Sequence, residues 1–307
     1  MKILVCDKIE SEAIEQMRSA GILVDVRADI TPEELARLIP QYEGVVVRSR
    51  TNVRSPLIDQ ATNLKVIMRG GVGLDNIDAE YAASKGIAVV NTPAASSVSV
   101  AELTIGYLFA LARRIYPATM SIKTGQWEKM KFEGNELSGK TLGIVGLGRI
   151  GQEVARRASA LGICLIAYDP FITQDNLAEM TSLDELLMRS DYITLHLSYT
   201  DEAHHMLGAV EFSKMKDGVR IINCDRGGII DEEALYNAII SGKVAGAALD
   251  VYETEPLENL KLVSLDQVIG SPHIGASTQE AQARVGAEVA SRLIDYYHNS
   301  YPLTLES

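Results

Sequence analysis

The stretch Thr141-Leu-Gly-Ile-Val-Gly-Leu-Gly-Arg-Ile-Gly151 decides which fold to expect of this chain. Its apolar run leads into the spacing Gly146-x-Gly148-x-x-Gly151, and a helical pattern follows. A second apolar run then ends at Asp169, eighteen residues after Gly151. Strand, glycine turn, helix, strand and terminal acid are the parts of the βαβ unit that binds a dinucleotide. We therefore predict a Rossmann-type domain with a dinucleotide cofactor.

Each glycine of this turn has its own expected purpose. Gly146 permits the tight turn, Gly148 lets the backbone approach the pyrophosphate, and Gly151 allows the helix to pack closely on the strand. The helix N-terminus also offers unpaired N–H groups and the positive end of its dipole to phosphates. We expect the pyrophosphate to lie over Gly148, Arg149 and Ile150.

The length and charge of the chain limit its partners. A chain of 307 residues predicts about two domains. Its net charge of −12 argues against nucleic acid or an anionic membrane as a partner. An anionic substrate would therefore need a local cluster of arginines.

The cysteines and the apolar segments indicate a cytoplasmic protein. Cys6, Cys164 and Cys224 lie far apart in apolar runs, which predicts buried, reduced thiols rather than a disulfide or a metal site. Residues 1–7 have the pattern of a strand and not of a signal peptide. The most apolar helical pattern, 103–112, is too short to span a bilayer.

Strand-like runs alternate with helical patterns along the chain, as in doubly wound α/β proteins with parallel sheets. The runs are 3–6, 23–26, 45–47, 66–68, 88–90, 142–145, 164–167, 192–195, 219–223, 245–249 and 268–270. Long helical patterns cover 97 to about 124 and 278 to about 298. We predict two Rossmann-like domains, an NAD-binding domain (98–278) inserted into a flavodoxin-like substrate domain (1–97 and 279–307).

Hydride transfer with a dinucleotide needs a cation that holds the substrate, a group that moves the alcohol proton and a neighbour that tunes this group. Arg226, Glu255 and His273 each follow a predicted strand, where open α/β sheets bind ligands. A histidine titrates near neutrality, a nearby carboxylate stabilises its imidazolium, and an arginine can hold a carboxylate. Taken singly, an arginine after a strand is usually a solvated rim residue, and Glu-Pro is usually a turn.

Three motifs carry a family resemblance. Asn-Cys-Asp-Arg226-Gly-Gly, Leu-Asp250-Val-Tyr-Glu-Thr-Glu255-Pro and Ser-Pro-His273-Ile-Gly-Ala-Ser-Thr resemble those of the D-isomer-specific 2-hydroxyacid dehydrogenases. The resemblance implies that Arg226 binds the substrate carboxylate and carbonyl, that His273 is the proton donor, and that Glu255 pairs with it. It places Asp250 near the nicotinamide amide and Asp169 at the adenosine ribose. Because a carboxylate at the ribose repels a 2′-phosphate, NAD is favoured over NADP.

The same resemblance implies a wider set of cofactor contacts. They are Gly146, Gly148, Arg149, Ile150, Gly151, Asp169, Leu197, Cys224, Asp225, Arg226, Asp250, His273, Gly275 and Ala276.

A second group of residues points to a phosphorylated 2-hydroxy or 2-oxo acid as substrate. Arg48 and Arg50 follow the run at 45–47 with Ser49 between them, and paired guanidiniums suit a phosphate. The alternative for this pair is a salt-bridged surface cluster. The expected substrate contacts are Arg48, Ser49, Arg50, Gly70, Gly71, Val72, Arg226 and His273.

Two other functions stay open. One is the same chemistry on hydroxypyruvate, glyoxylate or a D-lactate-like acid. The other is an NAD-sensing interaction protein, as among related corepressors. The chain also departs from the family pattern at Val72, where threonine is frequent, and at Ser198, where proline is frequent.

The helical pattern from 97 is apolar on more than one face, as in family members that dimerise through this segment. We expect a homodimer through 97–127, with Trp127 either reaching a neighbouring copy or lying in a core. Since the sequence ends shortly after the last helical pattern, we expect no C-terminal sensing domain and no feedback by that route.

Overall fold

The structure, a computed structural model, describes residues 1–197 and 199–299. Ser198 lies outside the described residues, and so do residues 300–307, which end the predicted substrate domain. The chain divides into two compact units. The first joins Met1–Ser96 to the chain from Ala276 onward, and the second is Ser97–Gly275.

The first unit is built on a parallel five-stranded sheet in the order β2-β1-β3-β4-β5. Its strands are β1 (Lys2–Val5), β2 (Leu23–Val26), β3 (Gly44–Val47), β4 (Val66–Arg69) and β5 (Ala88–Asn91). Its helices are α1 (Ser11–Ser19), α2 (Pro32–Leu38), α3 (Ser55–Gln60), α4 (Ala79–Ser84) and the final helix of the chain (Gln279–Asn299). This strand order is that of the flavodoxin-like fold, so the predicted fold of this unit is confirmed.

Local sequence explains how these elements form. Strand β3, Gly-Val-Val-Val, is buried at every position, as expected of a parallel strand covered on both faces. Helix α2 begins with a capping box, in which Thr31 Oγ1 accepts the N–H of Glu34 at 3.3 Å and Glu34 Oε2 accepts that of Thr31 at 3.4 Å. The final helix buries Val285, Val289 and Leu293 in the same core as β1. The returning helix therefore completes the first unit.

The second unit contains a parallel seven-stranded sheet in the order β12-β11-β10-β9-β6-β7-β8. Its strands are β6 (Thr141–Val145), β7 (Cys164–Tyr168), β8 (Glu179–Met180), β9 (Tyr192–Leu195), β10 (Val219–Asn223), β11 (Val244–Leu249) and β12 (Val268–Gly270). Its helices are α5 (Ser97–Ala112), α6 (Ile115–Lys123), α7 (Arg149–Ser159), α8 (Leu183–Arg189), α9 (Ala209–Lys214) and α10 (Glu232–Ile240). The order turns both ways from β6, as in the doubly wound dinucleotide-binding fold, and confirms that prediction.

The single long helix predicted from 97 to about 124 is wrong. The structure ends α5 at Ala112 and starts α6 at Ile115, with Arg114 between them in the left-handed region at φ 50°. The carbonyl of Ala112 accepts the N–H of Asn135 at 2.8 Å instead of continuing the helix. Gly134 makes this approach possible, because a Cβ there would lie 2.6 Å from that carbonyl oxygen.

One expectation about side-chain burial is wrong, and one alternative that the sequence left open is decided. Cys164 is exposed, while Cys6 and Cys224 are buried as predicted. Cys164 is the first residue of β7. The neighbouring strand β8 has only two residues and pairs with Ile166 and Ala167, so it does not cover the edge of the sheet at Cys164. Trp127 is 85% exposed, which excludes a place in the core of its own unit.

Within the described ranges, no helix combines the length and the apolar character that crossing a membrane requires.

Candidate active site

The three fingerprint glycines are needed for three different reasons. Gly146 has φ 94°, and a Cβ there would lie 2.3 Å from the carbonyl oxygen of His196. Gly151 lies so close to the turn that its Cβ would be 2.2 Å from the oxygen of Gly146. A Cβ on Gly148 would meet no described atom within 4 Å. The turn therefore leaves open space beside Gly148, where Arg149 and Ile150 begin α7.

Asp169 closes the same turn from the end of β7. Its Oδ2 accepts the N–H of Leu147 at 2.8 Å, and its Oδ1 accepts those of Phe171 at 2.8 Å and Ile172 at 3.0 Å. An ionised carboxylate has about four lone-pair sites, so these three bonds leave room for one further donor such as a ribose hydroxyl.

The loop after β10 carries Arg226. Asn223 fixes this loop, because its Nδ2 donates to the carbonyl of Arg226 at 2.8 Å and its Oδ1 accepts the N–H of Asp225 at 3.1 Å. The next residue must be glycine, since a Cβ on Gly227 would lie 1.8 Å from the carbonyl oxygen of Tyr252. The Arg226 loop thus packs directly on the segment that leads to Glu255.

His273 and Glu255 form a bonded pair. Their Nδ1 and Oε2 atoms are 2.7 Å apart, and Glu255 Oε1 accepts the N–H of Tyr252 at 3.1 Å. The histidine is about half exposed, with 47% of its side chain accessible. Because Nδ1 is bonded to the carboxylate, Nε2 is the nitrogen available for a ligand.

The charges of this pair shift both pKa values. The hydrogen bond to Glu255, opposed by burial, raises the pKa of His273 above its usual 6.5. Burial of Glu255 acts to raise its pKa, but the bond to His273 and the charges of His273 and Arg226 outweigh burial, so the pKa lies below 4.5. The charge of Arg226 acts on the pKa of both side chains, lowering each.

The backbone at His273 is held by Asp250. His273 has φ 52°, a conformation that a residue other than glycine rarely adopts. Its N–H donates to the carbonyl of Asp250 at 2.8 Å, and the Asp250 carboxylate accepts the N–H groups of Ile274 and Gly275 at 2.8 and 2.7 Å. The carboxylate predicted to lie near the nicotinamide thus accepts the backbone N–H groups of the two residues that follow His273.

The remaining predicted cofactor residues lie at or near the same ends of the strands. Leu197 and Cys224 are buried beyond β9 and β10, and burial raises the pKa of the Cys224 thiol. Asp225 is partly buried beside Arg226, with its Oδ1 3.7 Å from the guanidinium Nη1. Gly275 ends the second unit and Ala276 begins the returning part of the first.

The first unit holds the predicted phosphate residues around an open pocket of about 960 Å³. Arg48, Ser49 and Arg50 line it with Lys8, and acidic and polar side chains share the rim. Arg50 is turned toward the protein, since its Nε donates to Asp7 Oδ1 at 3.1 Å and one Nη donates to the carbonyl of Cys6 at 2.6 Å. Half of its side chain stays exposed.

Gly70, Gly71 and Val72 follow β4 in this unit. Gly71 has φ 150°, and a Cβ there would collide with the guanidinium of Arg69. The carbonyl of Val72 accepts the Nδ2 of Asn91 at 2.7 Å. The loop is therefore fixed in place by β4 and β5 together.

Sequence reasoning missed Asp7 and Asn223. Asp7 is buried and accepts the N–H and hydroxyl of Thr51 at 3.3 and 2.9 Å as well as the side chain of Arg50. It also accepts the N–H of Arg48. Asn223 ends β10 and Asp7 lies two residues after the end of β1, each next to a candidate loop, and a polar residue at the end of a buried run was the available signal.

Comparison with known proteins places this geometry in context. Residues 105–275 match the family described as D-isomer specific 2-hydroxyacid dehydrogenase, NAD binding domain. The chain is 48% identical over 300 residues to a D-3-phosphoglycerate dehydrogenase of Archaeoglobus fulgidus, covering 96% of the chain and 57% of that protein. It is also 48% identical over 296 residues to a hydroxypyruvate reductase of Thermotoga maritima, covering 95% of the chain and 97% of the relative.

A solved structure is similar over nearly the whole chain. A glyoxylate reductase from Paecilomyes thermophila matches with a TM-score of 0.91 and 33% identity, covering 99% of this chain and 97% of that one. The chain spans a little over half the length of the D-3-phosphoglycerate dehydrogenase that it matches, and nearly all of the hydroxypyruvate reductase.

Proposed function

The chain belongs to the D-isomer specific 2-hydroxyacid dehydrogenases, and we propose that it oxidises 3-phospho-D-glycerate to 3-phosphohydroxypyruvate, the entry reaction of serine synthesis. The His273–Glu255 bond of 2.7 Å carries this proposal, because a histidine paired with a carboxylate in the unit that matches the family suits proton transfer. Relatives named D-3-phosphoglycerate dehydrogenase support the choice of substrate.

NAD is the cofactor, and the residues at the glycine turn fit it. The open space beside Gly148 and the start of α7 suit the pyrophosphate, and the remaining lone pair of Asp169 suits a ribose hydroxyl. We assign the nicotinamide end to the loops that carry Arg226, Asp250 and His273. When bound, NAD supplies the acceptor for the hydride of C2.

The proposed mechanism gives each side chain one task. Arg226 binds the carboxylate of the substrate and polarises the oxygen on C2. His273 Nε2 accepts the hydroxyl proton as the C2–H bond breaks, so the alcohol becomes a carbonyl. Glu255 then stabilises the imidazolium through Nδ1. In the reverse direction, protonated His273 returns the proton to the carbonyl oxygen.

A panel of 2-oxo acids with NADH tests this function. We expect turnover with phosphohydroxypyruvate, and we expect His273→Ala and Arg226→Ala each to lower kcat/KM by roughly a thousandfold or more. NADH affinity should change little in both variants, because the glycine turn is untouched. Normal steady-state rates in either variant would overturn the assignment.

We assign the phosphate to the first unit. Arg48, Arg50 and Lys8 bring three cations to one pocket, beside the carboxylates of Asp7, Glu10 and Asp29. Arg50, being half exposed, can exchange its carbonyl acceptors for phosphate oxygens by turning outward. The phosphate would then lie between the two guanidiniums.

Arg50→Ala tests the phosphate assignment. We expect KM for phosphohydroxypyruvate to rise roughly tenfold to a hundredfold, because a charge-assisted contact is lost, while KM for unphosphorylated hydroxypyruvate changes little. The matched control is Arg54→Ala, since Arg54 is bonded to Asp78 and lies outside the phosphate pocket. Equal losses on both substrates would contradict a phosphate-binding role.

A second substrate has specific support. The hydroxypyruvate reductase of Thermotoga maritima is matched along 97% of its length, and the donors of Arg50 are already used by the protein. Hydroxypyruvate or a related unphosphorylated acid is therefore the second candidate. The same panel of 2-oxo acids separates the two candidate substrates. If the second candidate is correct, kcat/KM is higher for the unphosphorylated acid than for phosphohydroxypyruvate.

We further propose a homodimer formed through residues 97–127, supported by exposed apolar side chains on and after α6. The three free cysteines, one of them exposed, fit the reducing cytoplasm. A chain with a net charge of −12 repels polyanions, so neither nucleic acid nor an anionic membrane is proposed as a partner.

A further inference from the structure

A chain of hydrogen bonds runs from helix α5 into the loop after β12. The hydroxyl of Tyr107 is bonded to Ser271 Oγ, and Ser271 Oγ donates to Asp250 Oδ1. Asp250 has no exposed surface, and its carboxylate also accepts the N–H groups of Ile274 at 2.8 Å and Gly275 at 2.7 Å. Three donors therefore satisfy one buried carboxylate.

The donor and the acceptor of the two side-chain hydrogen bonds, Tyr107 to Ser271 and Ser271 to Asp250, follow from the carboxylate at the end. An ionised carboxylate accepts and cannot donate, so the single hydroxyl proton of Ser271 points to Asp250. The hydroxyl of Tyr107 must then donate to Ser271 Oγ. Tyr107 is 7% exposed, and burial raises its pKa, so this donor keeps its proton.

This series of hydrogen bonds, from Tyr107 through Ser271 to Asp250, ends at the backbone that carries His273. The left-handed φ of 52° is disfavoured for histidine, and the surrounding bonds must maintain it. Asp250 does so from both ends, with its carbonyl accepting the N–H of His273 at 2.8 Å and its carboxylate binding the two residues that follow.

We infer that Tyr107 and Ser271 are positioning residues that hold the His273 turn through Asp250. The inference rests on the function proposed above for His273. Neither hydroxyl touches the imidazole, so both act through the carboxylate. Helix α5 thereby contributes a side chain to the candidate active site.

This arrangement predicts an electrostatic effect as well as a geometric one. The charged groups that act on His273 are Glu255, Asp250 and Arg226. Removing the hydroxyl of Ser271 takes one donor from Asp250 and leaves its negative charge less compensated. The imidazolium is then favoured, and the measured pKa of His273 should rise.

The test is an NMR titration of the His273 imidazole in the full chain, assigned by comparison with His273→Gln. We expect Ser271→Ala to raise the titration midpoint by roughly 0.5 pH unit and Tyr107→Phe to raise it by less. Ser271→Thr, which keeps a hydroxyl donor, should restore the midpoint. Tyr107→Phe should add nothing in the Ser271→Ala background, because the connection is already broken.

Tyr252→Phe is the matched control. The Tyr252 hydroxyl is also buried nearby, but it donates to the backbone carbonyls of Leu249 and Ser271, both at 3.2 Å, and not to Ser271 Oγ or to the Asp250 carboxylate. Loss of this hydroxyl should leave the His273 midpoint unchanged. An equal shift in Tyr252→Phe and Tyr107→Phe, or additive shifts in the double variant, would overturn the inference.

Kinetics separate this inference from the proposed function. We expect kcat for the 2-oxo acid to fall roughly tenfold in Ser271→Ala with KM for NADH unchanged, because the proton-transfer group is displaced and the glycine turn is not. If the unaltered protein turns over no 2-oxo acid, the proposed function fails, and the NMR titration still decides whether Tyr107 and Ser271 act on His273.

Discussion

The imidazole of His273 has its pKa set mainly by one neighbour, the Glu255 carboxylate. A raised pKa keeps the imidazole protonated to higher pH. In the proposed mechanism, reduction of a 2-oxo acid needs this protonated form and fails as pH rises through the pKa. Oxidation of the 2-hydroxy acid needs the neutral form and fails as pH falls through it. In this mechanism, His273 therefore limits reduction at pH values above its pKa and oxidation at pH values below it.

Glu255→Gln tests this assignment. The amide keeps a hydrogen-bonding side chain but removes the charge, so the pKa of His273 should fall by roughly one unit. The acidic limit of oxidation should move to lower pH, and the alkaline limit of reduction should begin at lower pH. We also expect kcat to fall roughly tenfold to a hundredfold, measured across the pH profile of both directions.

Glu253→Gln is the control for this measurement. Glu253 is bonded to His205 Nε2 at 3.0 Å, two residues from Glu255 in sequence but facing another histidine. Its removal should leave the pH limits in place. Profiles of Glu255→Gln that overlay those of the unaltered protein would show that the pair does not govern proton transfer.

Residue identities were readable from the sequence at this site, and residue conformations were not. Arg226, Glu255 and His273 follow strands, and the structure places Glu255 and His273 within 2.7 Å of each other. Their catalytic roles stay predictions. The left-handed backbone of His273 and the inward turn of Arg50 depend on Asp250 and Asp7, which contact them from distant points in the chain. Neither contact joins residues that are close in sequence, so no local sequence pattern predicts it.

At the scale of elements, apolar runs located the strands well. Predicted and observed strands differ by at most one residue at either end, because a parallel strand buried on both faces is apolar along its length. Strand β8 was missed, since two residues form no run. The prediction of one continuous helix from 97 to about 124 was wrong for another reason. Its break at Arg114 depends on the bond from Asn135 to Ala112, made by a residue far along the chain.

At the scale of the whole molecule, the alternation of strands and helices predicted two parallel sheets, with the cofactor-binding domain inserted in the middle of the other. The late position of the glycine fingerprint supports the same arrangement. With β6 as the sixth strand, five strands and the returning final helix are left for a separate unit. Burial of single side chains was less predictable, as Cys164 and Trp127 show.

The assembly of two copies is the prediction that concerns the whole molecule. Large apolar side chains on and just after α6 are partly or largely exposed to water in a single copy. They are Ile115, Tyr116, Met120, Ile122, Trp127 and Met130. We expect light scattering at micromolar concentration to give twice the 33.4 kDa mass of the chain.

Charges placed in this surface should separate the copies. Tyr116→Arg combined with Ile122→Lys should give the mass of one chain, because burying an unpaired cation costs more than the apolar contact gains. Met188→Lys is the control, since Met188 is an exposed apolar residue on α8, outside the 97–127 segment. A monomer in the unaltered protein would refute the homodimer. A dimer that persists in the double variant would move the interface elsewhere, so the exposed apolar residues after α5 would need another partner.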